Sequence, residues 1–262
     1  MRRENVRVVG AGAGRAAIAL AMLAGLLLVG PMQSQASAGI CASPGGSTTT
    51  QSAVALVSRA SGVPVGLEDT EIRWVRWHTR VVYGDTATLK GQVVTQDGAI
   101  PDATVDLVAR EAGSSKWVSV GSATSDSETG VFSFTCLKPT RTTEYRAVYH
   151  GTLLYGGSEG DRTVEVARRV PDAMTQVAPD QFRFQGSVEP RYVARSVLLQ
   201  RKSCSSCSWR TLSRATTTAR SEWRFTIDVS GFTGSRWYRA VVPADDLYVR
   251  SYSTRSWQLT HQ

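Results

Sequence analysis

The chain has 262 residues, of which 42% are hydrophobic and 20% charged, and a formal net charge of +8, room for one large domain or two small ones. Residues 1–38 hold Arg2, Arg3, Arg7 and Arg15 against Glu4, a net +3 that leaves +5 on the remainder. Those remaining positive charges are scattered among acids along the chain, which points to solvated strand faces and argues against a basic stripe for nucleic acid.

Residues 1–38 have the order of an export signal. MRRENVR is a charged start, AAIALAMLAGLLLVG (16–30) an apolar run, and Ala36-Ser37-Ala38 a set of small residues where cleavage is expected. The apolar run is short for a membrane span. VVGAGAGRAAIAL (8–20) imitates a dinucleotide-binding turn. However, Arg15 stands where the pattern needs Gly or Ala, and the next acid after Glu4 is Glu68. Ile40 before Cys41 argues against a lipid-modified cysteine. The sequence thus predicts a secreted, extracellular protein, with no membrane attachment after signal cleavage, in a compartment where disulfides persist.

Residues 39–70 read as a flexible arm, rich in Ser, Thr, Gly and Ala over 39–66. AVALVSRA (53–60) is the one stretch there with a helical look. From residue 71 the chain becomes a series of short alternating runs between turn signals. TATLKGQVV, VDLVARE, WVSVGSAT, VFSFTC, EYRAVY and DRTVEVAR are separated by AIPDA, AGSSK, DSETG and PTRTT. The same series then repeats. KWVSVGSATS (116–125) aligns with SWRTLSRATT (208–217), and FSF (132–134) with WRF (223–225), at shifts of 92 and 91. EYRAVYHGTLLYGGS (144–158) aligns with WYRAVVPADDLYVRS (237–251) at a shift of 93. TLKGQV (88–93) and VDLVAR (105–110) match RFQGSV (183–188) and VLLQRK (197–202). Five blocks in one order at a nearly constant offset indicate a tandem duplication. The expected boundary lies in VARRVPDAMT (166–175), where Pro171 interrupts the strand pattern. The expected units are 71–169 and 170–262, all-β, each a sandwich.

These units resemble the tandem immunoglobulin-like β-sandwich domains of secreted bacterial proteins, over roughly residues 72–258. In that family strand F carries Tyr-x-Cys, with the tyrosine anchoring a corner. Here Tyr145-Arg146-Ala147 and Tyr238-Arg239-Ala240 keep the tyrosine and replace the cysteine. Gly91 and Gly186 stand where strand B would supply the other cysteine, so each core must rest on packing alone. The resemblance implies a structural or adhesive role outside the cell.

KSCSSCSW (202–209) holds two of the four cysteines, and the alignment places Cys204-Ser205-Ser206-Cys207 in a hairpin turn opposite GSSK (113–116). A redox dithiol needs a helix N-terminus to stabilise the thiolate, and zinc needs further ligands close by. A small disulfide that staples the turn is the reading adopted. Cys136 and Cys41 either pair with each other, tying the arm to the first sandwich, or Cys41 pairs between chains.

No nucleophile elbow, HExxH or P-loop occurs, and no metal site or cofactor is expected. His78, His150 and the Asp245-Asp246 pair read as solvated, although the acidic pair could touch calcium. The chain is therefore read as no enzyme. Trp117 and Trp209 align and share a packing role, while Trp223 aligns with Phe132 in the core. Trp74, Trp77, Trp237 and Trp257 lack such a counterpart and are candidates to bind a partner, as is the apolar loop Leu153-Leu154-Tyr155. The expected partner is an extracellular protein or a cell-wall glycan, not nucleic acid.

Overall fold

The computed structural model describes residues 7–11 and 66–261, and every regular element in them is a β-strand. Residues 39–65 of the expected arm, Cys41 and most of the export signal lie outside the described residues; the last residues assigned to the arm are described and held, with Glu68 bridged to Tyr155 and Thr70 hydrogen-bonded to Gly156, which corrects a flexible arm reaching to residue 70. The chain divides between Glu165 and Val166 into two compact units.

The N-terminal unit contains β2 (Glu71–Trp77), β3 (Arg80–Val82), β4 (Ala87–Val94), β5 (Thr104–Glu111), β6 (Val118–Thr124), β7 (Val131–Leu137), β8 (Thr143–Tyr149) and β9 (Ser158–Ala167), whose last two residues count with the other unit. One sheet has the order β2-β4-β7, the other β3-β9-β8-β5-β6. The strands form where the sequence alternates. Ala87, Leu89 and Val93 of β4 point inward, as do Tyr145, Ala147 and Tyr149 of β8, with the residues between them less buried. β6 is a solvated edge strand whose pairing with β5 is interrupted at Val120, between the Gly121 and Ser119 pairs, and such a bulge discourages pairing with another chain.

The C-terminal unit repeats the plan with β10 (Asp172–Ala178), β11 (Gln181–Ser187), β12 (Ser196–Lys202), β13 (Arg210–Thr216), β14 (Glu222–Asp228), β15 (Gly234–Val242), β16 (Ser251–Tyr252) and β17 (Ser256–His261). Its sheets run β10-β11-β14 and β1-β17-β15-β12-β13, with β16 on β15. One core cluster takes Phe182, Phe184, Trp223 and Phe225 from the first sheet and Val197, Leu199, Tyr238 and Leu259 from the second, so the sheets pack face to face. β1 (Arg7–Ala11) lies antiparallel to β17, from Arg7 opposite Thr260 to Ala11 opposite Ser256. These five residues belong to the stretch read as an export signal, and here they occupy the edge that β3 occupies in the other unit.

Both cores use one device where a cystine was looked for. Gly91 faces Phe132 across β4 and β7, and Gly186 faces Trp223 across β11 and β14. A Cβ on Gly91 would stand 2.6 Å from the Phe132 ring; one on Gly186 would stand 2.7 Å from Trp223 and 2.1 Å from the Pro171 carbonyl. The glycines leave room for aromatic rings, which fill the space between the sheets. Trp74 then packs edge-on against Phe132 at 5.8 Å. The two tyrosines of the resemblance are buried, and Tyr238 stands opposite Arg201 of the adjacent β12.

Candidate interaction surfaces

Val197 and Leu199 of β12 enter the core, so Leu198, Gln200 and Lys202 face outward. Register places their neighbours on the same outer face. Gln200 is opposite Arg239, Lys202 opposite Trp237, and Leu198 opposite Arg214. Trp209, at the end of the turn that follows β12, lies 4.2 Å from the Arg239 guanidinium and 5.3 Å from the Lys202 ammonium. Lys202 is 5.7 Å from Trp237, and Arg239 is 4.4 Å from Tyr252. Arg239 Nε donates to Gln200 Oε1 at 2.9 Å, and Lys202 Nζ donates to the Ser205 carbonyl. Burial, helped by the nearby Arg250 charge, depresses the Arg239 pKa. Among the described residues neither Lys202 nor Arg239 has a carboxylate partner.

The N-terminal unit builds the same ladder and neutralises it. Arg110 and Arg146 each lie 4.8 Å from Trp117. Arg110 pairs with Glu144 at 2.5 Å, and Arg146 with Asp161 at 2.8 Å and Glu159 at 2.9 Å. The hydrogen bond to Asp161 raises the Arg146 pKa. Arg110 stands opposite Glu144 in register, whereas Lys202 stands opposite Trp237. An ion pair in one copy is thus a cation–π interaction in the other. The shared packing role expected of Trp117 and Trp209 is this one.

The charge is divided by unit. Val166–Gln262 carries 15 Lys and Arg against 7 Asp and Glu, a formal +8, while residues 66–165 carry 10 against 14, or −4. Cations and acids are still interspersed along each unit, as expected, but their order along the chain gives no sign of this division. Each unit looks mixed when read along the chain, but the balance differs strongly between them.

The partner candidates fall into different places. Trp74 and Trp257 are buried, 8% and 9% exposed, so their rings are not accessible to a ligand, which corrects that expectation. Trp74 is held over Phe132, and the Trp257 indole N–H donates to Asp172. Burial pushes the Asp172 carboxyl up. Trp77 is half-buried beneath Arg162 at 4.6 Å, and Trp237 is half-buried within the ladder. Leu153 and Leu154 are 96% and 68% exposed. Their loop is ordered by hydrogen bonds. Thr152 N donates to the Tyr155 carbonyl at 2.9 Å, and the Leu154 and Tyr155 amides donate to Thr152 Oγ1. Glu68 bridges to Tyr155 as a parallel strand partner, and Glu68 N donates to the Leu154 carbonyl at 2.9 Å. Gly151, at φ +81°, makes the turn that starts the loop; a Cβ there would meet the Tyr155 carbonyl at 2.6 Å.

Cys204 and Cys207 form a disulfide, with Cα atoms 5.0 Å apart, in the turn between β12 and β13, as the alignment with GSSK places them. Cys136 is also disulfide-bonded. It sits at φ +57° in a bulge, where Ala87 faces Leu137 and Leu89 faces Phe134. Its expected partner, Cys41, lies outside the described residues.

The histidines have local partners. His78 Nδ1 accepts from the Thr88 amide at 2.8 Å, and His150 pairs with Asp106 at 2.9 Å. Buried His261 lies 3.3 Å from Asp180 and 2.7 Å from the Phe232 carbonyl. Asp245, read as a solvated loop acid, is instead the anion for two arginines. Arg168 and Arg195 both reach its Oδ2 at 2.9 Å, and the Arg168 side chain is only 4% exposed. Tyr248 and Tyr192 lie 3.9 and 4.7 Å from the Arg168 guanidinium, which also donates to the Pro190 carbonyl at 3.1 Å. No signal in the sequence marks this cluster, because its members are spread from 168 to 248. A cleft of about 770 Å³ lies between β10, β11, β14 and β13, lined by Asp172, Gly186, Ala215, Glu222 and Trp223 among others. Among the described residues no group of three or more His, Cys, Asp and Glu could hold a metal ion.

No family model matches the chain, and no curated protein matches it. Among solved structures it is similar to a tetra-tandem repeat in the extending region of a large adhesion protein, at 12% identity and a TM-score of 0.31. The match covers 74% of this chain and 48% of that one, so the chain spans about half the length of that structure. What the fold itself defines is an all-β protein of repeated sandwich units with a disulfide in an exposed turn of one of them.

Proposed function

We propose that the chain is a non-catalytic, exported interaction module of two immunoglobulin-like sandwiches, structural or adhesive in role. The strand orders support the fold type. In each unit a three-stranded sheet (β2-β4-β7; β10-β11-β14) faces a larger one. The chain leaves the larger sheet after the β5-β6 hairpin, crosses to β7 and returns as β8 beside β5, a Greek-key path that β12 to β15 repeat. The Cys204–Cys207 disulfide supports an oxidising compartment. The observation that carries the interaction role is the hydrogen-bonded loop that holds Leu153 and Leu154 in solvent, since large apolar side chains fixed outward are suited to a partner's pocket. Affinity capture of extracellular proteins with the wild type and with Leu153→Ser/Leu154→Ser tests it. A protein retained by the wild type and lost by the variant supports the reading; equal retention refutes it.

A second reading, binding to a polysaccharide of a cell wall, is favoured by the aromatic and cationic outer face of the C-terminal unit.

A further inference from the structure

We infer that the outer face of the sheet β17-β15-β12-β13 binds a linear acidic polysaccharide through Lys202, Arg239 and Arg214. The inference rests on the polysaccharide reading above and names the charge and the residues it requires.

Three observations carry it. First, the two units build one ladder from aligned residues but treat its charge differently. Arg110 and Arg146 are answered by Glu144, Glu159 and Asp161, so that face is internally neutralised. Lys202 and Arg239 are answered by Trp209, Trp237, Tyr252, Gln200 and a backbone carbonyl, which orient the cations and leave their charge in place. Trp237 takes the register position of Glu144, so the acid is exchanged at the ladder itself. Second, Val166–Gln262 carries a formal +8, which raises the potential over this face and attracts a polyanion from a distance. Third, the cations stand on three neighbouring strands, β13, β12 and β15. Arg214 is level with Leu198 of β12 and Arg239 with Gln200, so together with Lys202 the charges step two residues, about 6.6 Å, at a time along the strand direction and form a row rather than a single pocket.

A row of fixed cations on a flat surface suits a chain with a regularly repeated negative group and not a small compact anion. The half-buried ring of Trp237 and the exposed ring of Tyr252 border the row and offer apolar edges to sugar rings. Uronate or phosphate groups on successive sugars would meet Lys202, Arg239 and Arg214. Arg214 is exposed, opposite Leu198 on the same face.

The test uses the full chain and measures binding to polygalacturonate, to neutral dextran and to a DNA duplex over a range of salt. The variants are Lys202→Gln/Arg239→Gln, Arg214→Gln, and the matching Arg110→Gln/Arg146→Gln in the other unit, each checked for folding by circular dichroism. Polygalacturonate is expected to bind and dextran not. Removing one charge-assisted hydrogen bond should weaken binding by on the order of tenfold, and the Lys202/Arg239 variant should flatten the logarithmic salt slope by about two. The Arg110/Arg146 variant should change affinity by less than about twofold, because those cations are already paired. Arg214→Gln disturbs no packing, so it keeps the test informative if the double variant misfolds. If neither polysaccharide binds, the polysaccharide reading itself falls. If polygalacturonate binds but Lys202, Arg239 and Arg214 are indifferent, or dextran binds equally, that reading stands and the assignment of this face is wrong. Tighter binding of DNA than of polygalacturonate at matched charge overturns the polymer class.

Discussion

Asp245→Asn removes one charge from the C-terminal unit and should destabilise it out of proportion to its place in a loop. The carboxylate accepts from Arg168, whose side chain is 4% exposed, and from the more exposed Arg195. Burial alone would raise the Asp245 pKa. The Arg168 hydrogen bond and charge and the Leu247 and Tyr248 amides outweigh that, so it is lowered in the fold. Breaking a buried pair by removing one partner costs about 3–5 kcal/mol, since the other charge stays buried. The lower end applies here, because Tyr248, Tyr192 and the Pro190 carbonyl still hold Arg168 and Asp245 is itself 21% exposed. About 3 kcal/mol in a unit of this size is a fall of roughly 12–24 °C in the melting temperature. A group depressed in the folded state stabilises it above its unfolded pKa, and that contribution fades as the pH falls through the ordinary carboxylate range and below. The wild type should therefore lose its advantage over Asp245→Asn between about pH 5 and pH 2. Thermal melts followed by circular dichroism over that range measure both effects. In an Arg168→Met background, where no buried charge remains, the same substitution should cost little. A melting temperature within about 2 °C of wild type at neutral pH, or an equal loss in the Arg168→Met background, would refute the reasoning.

Replacing Cys204 and Cys207 by serine should leave the fold intact. The ring closes so few residues that its loop-entropy contribution is at most about 2 kcal/mol, and melting should fall by several degrees. The wild type should show no insulin-reducing activity above background; dithiol turnover that disappears in the double variant would defeat the staple. Gly186→Ala should destabilise by about 3 kcal/mol or more and Gly91→Ala by less, as read from urea midpoints. The added Cβ meets the Pro171 backbone carbonyl at the first position, and mainly the Phe132 ring at the second. The secreted species should begin at Gly39, by intact mass, and so lack β1. Amides of Ser256–His261 should then exchange faster than in a chain that keeps Arg7–Ala11, and equal exchange would show that β1 does not cover β17.

Architecture was legible in the sequence because it depends on local period and on repetition. TATLKGQVV and EWRFTID alternate with period two, and a strand half-buried between two sheets needs that alternation. The aligned blocks placed Cys204 and Cys207 in a hairpin turn without coordinates, since duplicated units share their turns. The candidate interaction surfaces were not legible, because they depend on which residues meet across strands. Trp74 and Trp257 had no aligned aromatic and looked free. Yet Trp74 stands opposite Gly91 and packs edge-on against Phe132, and Trp257 folds inward to meet Asp172. Asp245 looked solvated until the fold brought Arg168, 77 residues away, against it. Lys202 and Arg110 are equivalent in the alignment. Only cross-strand register shows that one faces Trp237 and the other Glu144, and so which copy keeps its charge. Local patterning determines that these segments become strands and where the chain turns. Burial, pairing and net surface charge are decided by how strands far apart in the chain meet, which no local pattern encodes.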